Sequence, residues 1–480
     1  MLLRACPPQP ALRAVTVLLL CCPCRTDSML RSGEQGTDAA RRSLANLAST
    51  GATHIRLEVV WYQANVSATE IQPDTTPGSP LRSSDDAALA ASIAAASALG
   101  LNVTLAPLVD LDWDDPAVNK PDGAGSIDGS GLNRWTPNPK AVSRALIGRG
   151  TLGSGGMREA EWVAWFASYM AFVIHYAAFA EQHGIKLFDI ATDLQAAAVL
   201  PANTPRWLAL IEAVRKVYSG KLMLTTGSLT STVSSAVWAA VDVIGVDVAN
   251  VSLAAAPWTH LPAGESQFSW TVADERLNVT VAMVQAAWTG AGGAISELAA
   301  LHTRTGGNKP IILTAGYQSR PNCIVRPAGQ PRLDCSQDCS CWTMCVEMDC
   351  QAAAYSGLLE ASSSESWFGG VFFHGWSADP TAGGTSDAHY TPWAKPAEAV
   401  LRKAFAHDEQ IAAGVVAEVL PRKPVGSSTR ELARELRAAN AARVTEQQEA
   451  ASITVTGANP PLKTVRHCLC LVCVSTACAR

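Results

Sequence analysis

Between Thr53 and Ala406 the chain alternates short, β-branched apolar runs with helix-forming stretches, and no other feature constrains its fold as strongly. The apolar runs are Thr53–Val60, Leu101–Leu108, Lys186–Thr192, Leu222–Thr226, Val241–Val248, Ile311–Leu313 and Gly369–His374. Helix signals surround them. Thr37 or Asp38 caps a helix ending at Ser49, with Gly51 just past it. Ser83-Ser84-Asp85-Asp86 opens an Ala-rich helix that Gly100 stops. Glu159–Gly184 is a strong helix with Trp162, Trp165, Phe166, Tyr169 and Phe172 on its apolar surface, and Pro205 starts the next, which runs to Gly220. Further helices fall around Ala236–Ala240, Glu275–His302 (interrupted by Gly290, Gly292 and Gly293), Gln351–Ala361 and Lys395–Ala406. Alternation of this kind means a parallel sheet, most simply closed as an α/β (β/α)8 TIM barrel. In such a barrel, residues just past the C-terminal strand ends build the site.

Those runs supply seven strands, and a closed barrel needs eight. The run Ala14–Leu20 is apolar enough to be the first strand, but Arg4 and Arg13 before it also give it the build of a signal peptide with a short apolar core. Both readings stand, so 1–24 is either a signal peptide or the first barrel strand. The barrel domain covers 36–407 and the tail 408–480. In that tail, rich in Glu, Arg and Ala, Thr429–Ala451 reads as an amphipathic helix and Ser452–Arg480 as disordered.

Composition narrows the partners. With 48% hydrophobic and 16% charged residues the chain is globular and low in charge, and its net charge of -5 with no basic stripe argues against nucleic acid. No apolar run reaches the length of a membrane span, the Cys-rich tail near Leu469 included. Fourteen cysteines form three groups, at 6–24, 323–350 and 468–478. The middle group, Cys323, Cys335, Cys339, Cys341, Cys345 and Cys350, predicts disulfides in a loop after the seventh strand and hence a secreted or extracellular protein. Sequons at Asn65, Asn102, Asn250 and Asn278 agree with secretion, although Asn102 opens a strand. Within that middle group no Cys-x-x-Cys pair or matching His occurs, and the chain carries no His-Glu-x-x-His pair, no phosphate cradle after a strand and no Gly-x-Ser-x-Gly elbow, so neither metal nor cofactor is expected.

A set of motifs runs in order through about residues 43–405. Among them are Ser43-Leu-Ala-Asn-Leu-Ala-Ser-Thr-Gly-Ala, Trp61-Tyr62-Gln63, Val109-Asp110-Leu111, Trp165-Phe166-Ala167-Ser168-Tyr169, Phe188-Asp189-Ile190-Ala191-Thr192-Asp193-Leu194, Ile244-Gly245-Val246-Asp247, Lys309-Pro310-Ile-Ile-Leu-Thr314 with Gly316-Tyr317, and Lys395-Pro396-Ala397-Glu398. In these the chain resembles glycoside hydrolase family 113, whose characterised members are retaining β-mannan-cleaving TIM barrels. The resemblance implies an oligo- or polysaccharide partner and two carboxyl groups roughly 5–5.5 Å apart, one a nucleophile and one an acid/base.

The family's acid/base glutamate lies in a Gly-Thr-Glu-Leu-like motif after the fourth strand, and here Ala-Thr-Asp-Leu puts Asp193 there. Aspartate is one methylene shorter and retracts the proton donor by about 1.5 Å, a displacement that can cost on the order of 100-fold in rate. A purely structural role for Asp193, as helix N-cap or partner of an Arg, weighs equally. The family's nucleophile motif, Thr-Glu-x-Gly-Tyr, becomes Thr314-Ala315-Gly316-Tyr317, one residue shorter, with Ala315 at the position of the absent glutamate. Leu108 stands where a family histidine is usual, Gly227 where an Asn is usual, and Ala249 near the usual Tyr. Trp61, Tyr62, Asp110, Asp247, Tyr317 and Trp376, at or beyond strand ends, are the expected substrate-binding residues; Trp135 and His374 are secondary candidates. Two functions compete: a mannan-acting hydrolase with impaired O-glycosyl hydrolysis, or a non-catalytic carbohydrate-binding pseudoenzyme. An inverting pair of Asp193 with Asp110 or Asp247, and a relic barrel, are the further alternatives.

Overall fold

The computed structural model describes residues 12–17, 36–76, 83–111, 147–148, 156–227, 233–248, 278–290, 293–320, 323–324 and 346–416. The chain divides into two compact units, 1–421 and 422–480. The second unit lies outside the described residues, and with it the expected tail helix; so do Trp135, Ala249, Asn250 and four cysteines of the central group.

Eight parallel strands close into a barrel in chain order. They are β1 (Leu12–Val17), β2 (His54–Gln63), β3 (Asn102–Leu111), β4 (Leu187–Asp189), β5 (Lys221–Thr226), β6 (Val243–Asp247), β7 (Ile311–Ala315) and β8 (Phe368–Phe373). The N-terminal run supplies the eighth strand, two residues earlier than the sequence suggests, pairing Ala14 with His54 of β2 and Leu12 with Gly370 of β8.

Helices α1 (Asp38–Ser49), α2 (Asp86–Ala98), α3 (Glu159–Gln182), α4 (Gln195–Val199), α5 (Thr204–Arg215), α6 (Ser235–Ala240), α7 (Val281–Thr289), α8 (Ala294–Arg304), α9 (Met348–Ser362) and α10 (Pro396–Val416) accompany the strands. Several start where the sequence places caps. Thr37 accepts from the Ala40 N–H and Asp85 from the Ala88 N–H, each satisfying a donor with no partner inside its helix. The Glu275–His302 region divides into α7 and α8 at the glycines, as its pattern implies. At 24 residues α3 is long and apolar enough to cross a membrane, contrary to expectation, but Trp165, Phe166, Tyr169, Phe172 and Val173 are buried in the protein core. Lys309 extends its ammonium to the carbonyls of Trp238, Ala239 and Val241 at 2.6, 2.9 and 2.5 Å, closing the C-terminal end of α6.

Registered neighbours in a parallel sheet point the same way, so one layer fixes the phase of every strand. Leu187, Met223, Val243, Ile312 and Phe372, one from each of β4 to β8, form an apolar cluster separate from the main core. Counting on by twos turns Asp189, Thr225, Gly245, Asp247, Thr314 and His374 to the lumen. On β2, Arg56 reaches Asp189 and Thr314, which puts Arg56, Glu58, Val60 and Tyr62 on that face. Pairing of Tyr62 with Asp110 carries the same phase to β3. The opposite faces, Ile55, Leu57 and Val59 on β2 and Ile311, Leu313 and Ala315 on β7, join the main core. Close packing in the lumen requires a glycine at 245, where a Cβ would fall 2.1 Å from Thr225 Oγ1.

Candidate functional site

Directly above the apolar layer the lumen is charged. Arg56 Nη2 donates to Asp189 Oδ2 at 2.9 Å and to Thr192 Oγ1 at 2.6 Å, while Nη1 donates to Thr314 Oγ1 at 3.4 Å. Glu58 Oε1 lies 3.6 Å from the same guanidinium. Asp189 also accepts from the hydroxyls of Thr225 (2.6 Å) and Thr192 (3.3 Å). Complete burial pushes the Asp189 carboxyl up to about 6 from 3.8, against the pull of Arg56 and of those hydrogen bonds. One guanidinium therefore ties β2, β4 and β7 together, with two carboxylates around a single cation.

Sequence reading missed this layer. Its signal was present in Ile55-Arg56-Leu57-Glu58-Val59, two charged residues at period two inside an apolar run, the pattern of a strand with one polar buried face.

Higher up, the strand ends bring several expected residues together. Tyr62 and Asp110 are register partners at the ends of β2 and β3, and Asp110 is 8% exposed with its Oδ1 accepting from the Leu111 N–H. Asp193 follows β4 with φ +54°, a left-handed conformation that is uncommon outside glycine although Asp tolerates it better than most. The N-cap position of α4 belongs to Leu194. Gly227, just past β5, leaves a gap beside Asp193: a Cβ there would sit 3.6 Å from Asp193 Oδ1 and 3.5 Å from Gln195 Oε1. Gln195, absent from the expected site, is anchored by Thr226 Oγ1 at 3.1 Å. Asp247 ends β6 beside Thr314.

Three aromatic residues sit elsewhere than expected. Trp61 faces outward, its ring 4.8 Å from Phe172 of α3 and its indole N–H on the Tyr176 hydroxyl at 3.2 Å. Tyr317 is 3% exposed and packs on Tyr355 of α9, and burial followed by the Asp247 charge pushes its phenol up. Trp376, 2% exposed, donates to Ser43 Oγ at 3.0 Å and packs on Trp393. Tyr317 and Trp376 lie past strand ends and Trp61 near the end of β2, but their rings pack behind the strands, on the helices and their connecting segments. Ala315 is buried in that same outer layer.

A buried polar cluster holds the chain after β7. Lys395 Nζ bonds Ser319 Oγ at 2.9 Å, the His389 carbonyl at 2.9 Å and Asp387 Oδ1 at 3.3 Å, and burial lowers its ammonium to about 8. Gln351 reaches the carbonyls of Tyr317 and Tyr390, and the neighbouring Cys350 is disulfide-bonded to Cys323. Among the described residues no cluster of three or more His, Cys, Asp or Glu is arranged to hold a metal ion.

In a parallel barrel the residues at and past the C-terminal strand ends build the site, and Asp110, Asp193 and Asp247 stand at those ends here. The sequence profile of Glycoside Hydrolase Family 113 matches residues 144–395. That span exceeds half of the chain, and the protein belongs to this family. No curated protein matches the sequence. Among solved structures it is similar to a GH113 beta-mannanase from Alicyclobacillus acidocaldarius, at 20% identity over 83% of this chain and 98% of that one, with a TM-score of 0.54. A complex of a GH113 beta-1,4-mannanase gives 20% identity over 83% and 99%, TM-score 0.53. Another GH113 beta-1,4-mannanase gives 22% over 77% and 93%, TM-score 0.51. At these identities the likeness speaks to the barrel fold.

Proposed function

We propose that this protein recognises β-linked, mannan-type oligo- or polysaccharide at the C-terminal mouth of the barrel and that its retaining hydrolysis is impaired. The observation that carries the reading is the end of β7, Thr314-Ala315-Gly316, which offers no carboxylate. Retaining hydrolysis forms a covalent glycosyl-enzyme on a carboxylate roughly 5–5.5 Å from the acid/base, and without that group the covalent route is closed. Asp193 is the proposed remnant of the acid/base, on a retracted side chain. Tyr62, Asp110, Asp193 and Asp247 are the proposed sugar-facing set; the three aromatics that pack behind the strands are left out of it. Family membership supports the carbohydrate partner, and the Cys323–Cys350 disulfide supports a secreted or extracellular location.

The competing assignment within this reading is a binder with no turnover at all. Incubation with manno-oligosaccharides, following products and calorimetric binding together, separates the two. Slow hydrolysis abolished by Asp193→Asn supports a weakened enzyme, whereas binding without products supports the pseudoenzyme. The absence of both binding and products would contradict the proposal. An inverting route is favoured by one observation, the lumen-side carboxylates of Asp110 and Asp247, since inversion accepts wider spacings of roughly 6.5–9.5 Å. Products of inverted anomeric configuration would identify it.

A further inference from the structure

Matching motifs puts the missing nucleophile at Ala315, but the register of the barrel puts a different side chain in the lumen. Thr314 pairs with Asp247 on one side and with Phe372 on the other, and Phe372 belongs to the lumen layer. Its hydroxyl accepts from Arg56 inside the barrel. Ala315 pairs with Phe373, whose ring stacks on Tyr355 of α9 at 4.1 Å, and Ala315 is 1% exposed in the outer core. Successive residues of a strand face opposite ways, so a slip of one residue exchanges lumen for outer layer. A motif one residue shorter between Thr314 and Tyr317 is a change of that kind.

We infer that Thr314, not Ala315, occupies the nucleophile's place in this chain, and that Arg56 is the positioning residue for a carboxylate there. The inference rests on the impaired retaining site proposed above. Arg56 touches Thr192, just past β4, with one terminal nitrogen and Thr314 of β7 with the other, so one planar group joins the two strand ends that precede the acid/base and nucleophile positions. Among the described residues its Nε has no hydrogen-bond partner and its Nη1 has only the 3.4 Å contact to Thr314, leaving donor capacity on a side chain 1% exposed. A carboxylate reaching from position 314 meets a cation already oriented by β4.

In the T314E variant the reaction runs in two steps. An oxygen of the carboxylate introduced by T314E bonds the anomeric carbon as the glycosidic C–O bond breaks, and the departing oxygen takes the proton of Asp193. Water, giving its proton to Asp193, then attacks the anomeric carbon and releases the carboxylate.

The test uses the full chain as wild type, T314E and A315E, with an aryl β-mannoside bearing a good leaving group and a fluorinated mannosyl fluoride as covalent trap. T314E should gain one sugar by intact mass and hydrolyse the aryl mannoside at least about tenfold faster than wild type, with retention; about tenfold corresponds to a small fraction of what a positioned catalytic group supplies. A315E should gain no sugar and should melt below both other proteins, because its carboxylate enters apolar packing. Labelling of A315E, a natively melting T314E that stays unlabelled, or A315E melting with the wild type each overturns the assignment. The A315E melting curve decides even if T314E fails to fold. Retaining turnover by the wild type would instead undo the proposed function, a result separable from any failure of the variants.

Discussion

Arg56 and Asp189 hold one another inside the barrel, Nη2 to Oδ2 at 2.9 Å, with side chains 1% and 0% exposed. A pair so deeply buried is costly to desolvate, and removing one partner leaves the other charge uncompensated, typically at about 3–5 kcal/mol. With Glu58 also beside the guanidinium, two carboxylates share this one cation, an excess of negative charge around it. Protonation of Asp189 relieves that excess.

The pH dependence of stability follows. The folded-state pKa of Asp189, about 6, lies above its ordinary 3.8, so between those values the folded chain holds a proton that the unfolded chain has lost. Stability from this group therefore falls as pH rises through that window, by about 3 kcal/mol, and is level above it. Urea midpoints of wild type and Asp189→Asn across the window check this. The wild type should lose stability relative to the variant with rising pH; a constant difference between them contradicts the account.

Trp376 is expected to act through packing. Trp376→Phe keeps most of the ring but loses the bonds to Ser43, and should lower stability by about 1–2 kcal/mol. Oligosaccharide affinity measured by calorimetry should stay within error of the wild type, whereas a large loss of affinity at unchanged stability would return this indole to the site.

Lys309 is the cation that closes α6, through three backbone carbonyls. Lys309→Met removes those bonds and should destabilise the chain by about 2–3 kcal/mol, the range for hydrogen bonds from a charged group. Denaturant unfolding measures it, and a change below about half a kcal/mol, the scale of a neutral surface substitution, contradicts the capping role.

Much of the architecture was legible because alternation carries it. The helix caps at Thr37 and Asp85 and the break between α7 and α8 are local signals written in neighbouring residues. What the sequence does not carry locally is which way a residue faces past the end of a strand. Trp61 and Tyr62 are adjacent, yet one ring packs on α3 and the other side chain lies on the lumen face, a difference set by strand phase. The same phase separates Thr314, in register with lumen-facing Asp247 and Phe372, from Ala315 in the outer core. Arg56 and Asp189 lie 133 positions apart and meet only when the barrel closes.

The central claim, recognition of a mannan-type chain without efficient retaining cleavage, is met most directly by proton NMR of the full wild-type protein with a β-linked manno-oligosaccharide. The account predicts broadening or shifting of sugar resonances with little or no new reducing-end signal over hours. Rapid appearance of β-anomer reducing ends, at rates ordinary for a glycosidase and dependent on Asp193, would contradict it.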